Sequence, residues 1–101
     1  MAQQTDVLAS QPATADGQLL DQSGGNLVRC RVKSVLIIGA ATAGSVVFKD
    51  GGASGTTIMT INTIASAANP QYMLLPGEGL LFRTDVYVDV TSIGSVTVFY
   101  A

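Results

Sequence analysis

The stretch Val28-Arg29-Cys30-Arg31-Val32-Lys33-Ser34-Val35-Leu36-Ile37-Ile38 decides how this chain is read. Apolar side chains fall on 28, 30 and 32, and charges fall on 29, 31 and 33. Strict period two is the signature of a β-strand with one wet face. From Val35 to Ile38 both parities turn apolar, so the strand runs on to where both of its faces are covered. No charge appears from Ser34 to Phe48. Gly39, Thr42, Gly44 and Ser45 interrupt that run, and it is shorter than the ~20 residues a membrane helix needs. It reads as a buried β-hairpin, and no membrane span is expected.

Downstream, the same logic repeats. Gly39 to Gly44 is a small-residue turn. Ser45 to Asp50 is a second strand, with Val46 and Phe48 on one face and Val47 and Lys49 on the other. Asp50-Gly51-Gly52-Ala53-Ser54-Gly55 is a loop, because Asp-Gly and three glycines reach positive φ at little cost. Thr56 to Ile64 is rich in Thr and Ile, as strands are. Gln71 to Leu75 is a fourth strand, closed by Pro76-Gly77, which suits the centre of a type II turn. Leu80 to Phe82, Val86 to Thr91 and Ser95 to Tyr100 complete the set, with a turn at Ile93-Gly94. Six or seven short strands spaced near ten residues apart predict an all-β fold, a small antiparallel sandwich or barrel. No stretch has a helical period, and no repeat of solenoid length is present.

Upstream, the character changes. Residues 1–27 hold Asp6, Asp16 and Asp21 but no Lys or Arg, whereas all five bases and four acids lie in 28–101. The charges are therefore −3 and +1, which sum to the chain's −2. The apolar content of 1–27 is two short pairs, Val7-Leu8 and Leu19-Leu20. Alone, that cannot offset the entropy of ordering the segment. It reads as an extended polar arm, either disordered or ordered by docking, in front of a body spanning 28–101. In the docked case Val7, Leu8, Leu19 and Leu20 are its anchors.

Composition excludes several functions. The 101 residues contain no His and a single Cys, so a His-based triad, a His-ligated metal and a disulfide framework are all out. A net charge of −2 argues against general nucleic-acid binding. No cationic segment followed by an apolar one opens the chain, so no secretory signal is expected, and synthesis in a reducing cytoplasm fits the lone cysteine. Only 12% of residues are charged, about half the usual ~25%, which points to surface buried in other subunits.

The remaining candidates are few. Arg29, Arg31 and Lys33 form a basic row, and Asp85, Tyr87 and Asp89 form an acidic and phenolic row of the same spacing. On neighbouring strands the two rows would pair; otherwise the basic row meets an acidic partner or is an ordinary solvated face. Asp50 and its glycines offer one carboxylate, too few for calcium, and lack the Lys of a phosphate loop, so a plain hairpin loop explains them. Cys30 lies on the apolar parity, away from Arg29 and Arg31, and reads as a buried small hydrophobe. Glu78, the single glutamate, has no second carboxylate at a spacing that would support glycosidase chemistry. No cofactor, metal or active site is expected.

Three strings also resemble a known setting. Val47-Phe48-Lys49-Asp50-Gly51-Gly52-Ala53-Ser54-Gly55-Thr56-Thr57, then Leu74-Leu75-Pro76-Gly77-Glu78-Gly79-Leu80-Leu81-Phe82, then Ser95-Val96-Thr97-Val98-Phe99-Tyr100-Ala101 resemble a family of small proteins encoded among the structural genes of marine tailed phages. The resemblance covers 28–101. It implies a virion component without an active site, and a capsid decoration (cement) protein fits the size. On that reading the body sits on the outer surface of the head as a homo-oligomer, a trimer being favoured. The major capsid protein is its partner, and the arm ties neighbours together through its four anchors and the row Arg29, Arg31 and Lys33. Truncation of 1–27 should then weaken shell binding and leave the body folded. The alternative is a tail or fibre module that binds host-surface glycan, with Tyr72 and Tyr87 as its exposed aromatics.

Overall fold

The computed structural model describes residues 7–65, 70–75, 77 and 79–101. Among them are nine strands and no helix: β1 (Leu8–Ala9), β2 (Gly17–Gln18), β3 (Cys30–Gly39), β4 (Ser45–Asp50), β5 (Thr56–Asn62), β6 (Pro70–Leu74), β7 (Leu80–Phe82), β8 (Tyr87–Thr91) and β9 (Ile93–Tyr100). All pairings are antiparallel. One sheet has the order β1-β9-β3-β6, with β7 also on β3, and the second has the order β2-β8-β4-β5. The fold is a small β-sandwich, one of the two architectures that the alternation leaves open. Its core is formed by the inward parities of both sheets: Val32, Val35, Ile37, Val96 and Val98 from the first, and Val46, Phe48, Ile61 and Val88 from the second.

The central strand β3 departs from simple alternation in an informative way. Cys30 and Val32 point inward, and so do Val35 and Ile37, which have the other parity. A β-bulge reconciles them. The pairing with β9 steps from Val32↔Tyr100 to Ser34↔Phe99, leaving Lys33 as the extra residue. One inserted residue flips every later side chain to the opposite face. The strand begins only at Cys30, so Val28 does not share the inward face; it is 69% exposed.

Two turns also differ from expectation. β6 and β7 both run antiparallel to β3, on successive stretches of it, so the segment between them does not reverse the chain. The turn expected at Pro76-Gly77 falls partly outside the described residues, as does Glu78; Gly77 itself has φ +61°. Between β8 and β9 the turn is made by Ser92 at φ 51°, one residue before the expected pair. At Gly94 the constraint is tight space instead. It is the extra residue where Ile38↔Ser95 steps to Gly39↔Ile93, and a Cβ there would lie 3.2 Å from the carbonyl oxygens of Ile38 and Gly39.

The arm is the main correction. Residues 7–27 do not extend away; they strap the open side of the sandwich. β1 lies along β9, and Ser10 and Ala13 donate backbone hydrogen bonds to Val98 and Val96 at 2.9 and 2.8 Å. The Ser10 hydroxyl accepts from the Val98 N–H at 3.0 Å. The strap then crosses to the other sheet, where β2 pairs with β8, the Asp16 carboxylate accepts from the Val90 N–H at 2.7 Å, and the Leu19 N–H donates to Val86 at 2.8 Å. A turn through Asp21 to Gly25 returns the chain to β3. Leu19 is 1% exposed and Leu27 3%, both in the chain's own core. Leu19 is therefore not an anchor for a partner. Its side chain belongs to the core beneath the strap. The Cα radius of gyration, 13.0 Å, matches the ≈13 Å of a compact 100-residue domain, leaving no room for a projecting arm of this length.

Candidate interaction surfaces

The expected contact residues do not converge on one site. Val7 and Leu8 are exposed, at 43% and 55%, on the outer edge of β1. Leu20 is half-buried, bridged to Asn26 in the strap's return turn. Arg29 and Arg31 are exposed. Lys33 is the half-buried residue of the bulge, so the bulge breaks the even basic row. The two charged rows also lie on different sheets, β3 in one and β8 in the other, and cannot pair across a ladder. Lys49 takes the place of the expected base beside Asp89, at 3.9 Å. Both side chains are partly in water, so that pair contributes little, about 0–1 kcal/mol.

Asp85 does not belong to a surface row at all. It is 7% exposed, and its carboxylate accepts from the N–H groups of Gly51 and Gly52 at 3.0 and 3.1 Å and from Gln18 Nε2 at 2.6 Å. Asp50 returns the arrangement. Its carboxylate accepts from the N–H groups of Arg83, Thr84 and Asp85 at 2.8, 2.8 and 3.4 Å. Each loop thus supplies the acceptor for the other's backbone donors, and Gln18 adds the strap. The Arg83 N–H is the main cause that holds the Asp50 carboxyl below its usual range; the other two N–H groups and the Arg83 charge add to it, and desolvation opposes. Both carboxylates are surrounded by donors, an arrangement that orders loops and repels rather than ligates a cation. Nothing local in the sequence signals this brace, because its partners are more than thirty residues apart.

Cys30 is buried, and desolvation, with a smaller push from the Asp50 charge, raises its thiol to about 11. It stays protonated at neutral pH and is a poor nucleophile. In native protein at pH 8 it should react with a disulfide reagent at least tenfold more slowly than in denaturant; equal rates would show that the strand opens readily.

The outer faces of the two sheets differ in kind. Cross-strand partners share a face, so the register places Lys49, Tyr87, Asp89 and Val47 on the outer side of β4 and β8. On the outer side of the first sheet, Ser34, Leu36 and Ile38 of β3 lie beside Leu74, Tyr72 and Pro70 of β6 and Phe99, Thr97 and Ser95 of β9. None of these nine positions is charged. Leu74 is 76% exposed and Tyr72 60%, and the Tyr72 ring packs edge-on to Phe99 with centroids 6.4 Å apart. Tyr72 and Tyr87, the aromatics a glycan site would use, stand on opposite sheets and do not converge.

No protein-family model, curated protein or solved structure matches this chain. Among the described residues no group of three His, Cys, Asp or Glu side chains is placed to hold a metal ion. Two hollows, of about 220 and 240 Å³, lie along the strap. The first is lined wholly by residues 11–20. The second lies between β1, Tyr100 and the turn at Asp21, whose carboxylate is occupied by the N–H groups of Ser23 and Gly25 at 2.9 and 3.0 Å.

Proposed function

We propose that this chain is a non-enzymatic structural protein of a phage virion, a capsid decoration (cement) protein on the outer surface of the head, made in the host cytoplasm. The observation that carries the reading is the uncharged apolar outer face on a small, strapped sandwich. Such a face is unfavourable on a free monomer and suits burial in an assembly, where unpaired charge is penalised. The three strings that resemble small proteins of marine tailed phages supply the setting. Contact with the major capsid protein then falls to the exposed Val7 and Leu8 at the edge of β1, the exposed Arg29 and Arg31, and the half-buried Lys33 of the β3 bulge. Individually weak contacts, repeated over a closed lattice, gain from effective concentration and resist expansion of the shell.

The test is stoichiometry. In virions purified from a culture that produces this chain, mass spectrometry should find it near one-to-one with the major shell protein, or at a simple fraction of it. A trace ratio would move the protein to the tail or a single vertex. Its absence from virions would end the reading.

A further inference from the structure

The outer face of the β1-β9-β3-β6 sheet combines three properties. It is apolar at Leu36, Ile38, Tyr72, Leu74 and Phe99; it carries no charge over the nine positions from Ser34 to Ile38 and their ladder partners; and its most projecting side chains, Leu74 and Tyr72, are 76% and 60% exposed. The opposite outer face does not share them, because it holds Lys49 and Asp89. We propose that this face is the contact through which two copies of the chain associate, sheet against sheet, about a two-fold axis.

A second copy is the occupant that the charge pattern favours. A face without charge offers nothing for a charged partner to select, and apposing it to itself creates no like-charge contact. The nearest bases, Arg31 and Lys33, lie beyond one end of the patch. An antiparallel two-fold arrangement carries the two basic ends to opposite rims of the interface, where water screens them. Pleated faces stack at about 10 Å, with side chains interdigitating as they do inside a sandwich. Area sets the strength. Five residues of strand span about 17 Å, and the three strands β9, β3 and β6 about 10 Å between outer axes. With side chains at the margin, the footprint is roughly 400 Å² per copy, or roughly 800 Å² for the pair, the size of a weak, transient contact. An interface of that size gives a reversible dimer, and tyrosine with large aliphatic groups at its centre supplies the side-chain types that dominate such contacts.

The inference does not depend on the virion reading, because purified protein tests it without shells. Sedimentation equilibrium on the full chain should show a weight-average mass that rises from the 10.4 kDa monomer toward twice that value with increasing concentration. Leu74→Lys, at an exposed position, should keep the melting temperature and weaken association at least tenfold. Val47→Lys, on the outer side of the other sheet, should leave association unchanged. A chain that stays monomeric at several hundred micromolar would overturn the proposal, and so would a mass that settles at three copies. Association that Leu74→Lys leaves intact, or that Val47→Lys abolishes, would do the same. In each case the stoichiometry in virions remains a separate result.

Discussion

Leu19→Ala should lower the stability of the sandwich by about 3 kcal/mol, and deletion of residues 1–27 should abolish its cooperative unfolding transition. The first figure follows from burial: Leu19 is 1% exposed, and truncating a buried leucine to alanine costs roughly 2–5 kcal/mol through lost transfer energy and the cavity left behind. Small domains have about 5–15 kcal/mol in total, so this single side chain is a large share. The deletion removes much more. Leu27 leaves the core as well, and the backbone groups of Val86, Val96 and Val98 lose their partners on the strap. Val98 also loses the Ser10 hydroxyl, and Val90 the Asp16 carboxylate. Both sheets then present a bare edge on the same side. Urea unfolding followed by circular dichroism distinguishes the cases. A shortened chain with the full-length midpoint would mean that the strap is a dispensable tail. Leu8→Ala is the comparison: Leu8 is 55% exposed, and its loss should move stability by less than ~1 kcal/mol.

This expectation reverses the one that the sequence invites, and the reason is physical. The body was legible because its signals are local. Period two in Val28 to Val32, the glycine-rich loop after Asp50 and the Val86, Val88, Val90 alternation each specify a strand or a turn within a few residues. The strap carries no such signal. Its pairings are two residues long, Leu8–Ala9 and Gly17–Gln18, and they exist because the exposed edges of β9 and β8 offer partners. A segment too polar to fold alone can be ordered by a template that its own chain supplies. Strand order was hidden for a related reason. The Asp85, Tyr87, Asp89 spacing matches that of Arg29, Arg31, Lys33 whether or not the strands are neighbours, and the sheets separate them. The bulge at Lys33 left a trace, since apolar positions switch parity between Val32 and Val35, but continuous apolar sequence up to Ile38 masks the switch. Of the expected contact residues, the structure leaves Val7, Leu8, Arg29 and Arg31 exposed, half-buries Leu20 and Lys33, and places Leu19 in the core.

Asp85→Ala should cost about 3 kcal/mol, although no sequence motif marks Asp85. Its carboxylate accepts from the Gly51 and Gly52 N–H groups through one oxygen and holds Gln18 Nε2 at 2.6 Å through the other. Removing it strands donors at a site that is largely shielded from water, and hydrogen bonds to a charged acceptor are each worth about 1.5–3 kcal/mol. The sum is held down because Gly51 lies in an exposed loop, where water replaces part of what is lost. Asp85→Asn should recover most of the loss. Its remaining oxygen can still accept from Gly51 and Gly52, and Gln18 can turn its own amide to present an oxygen to the new NH₂ group. A structural role that needed only the volume of the side chain would give equal losses for Ala and a larger apolar residue, with no rescue by Asn. Asp50 adds a pH dependence whose sign follows from its donors. Three N–H groups and the Arg83 charge favour the ionised form, so the folded chain holds this carboxyl below its unfolded value of about 3.9. A lowered folded value means that its contribution is fully present above pH ~4 and is lost as the pH falls through the folded value. The melting temperature of the wild-type chain should therefore fall below pH ~4, and Asp50→Asn should be less stable at pH ~7 but less sensitive to acid. Parallel acid titrations of the two would sink the brace as a source of acid sensitivity. A shallower slope in Asp50→Asn, together with rescue of Asp85 by Asn, would locate the cross-link between the two loops in these two carboxylates.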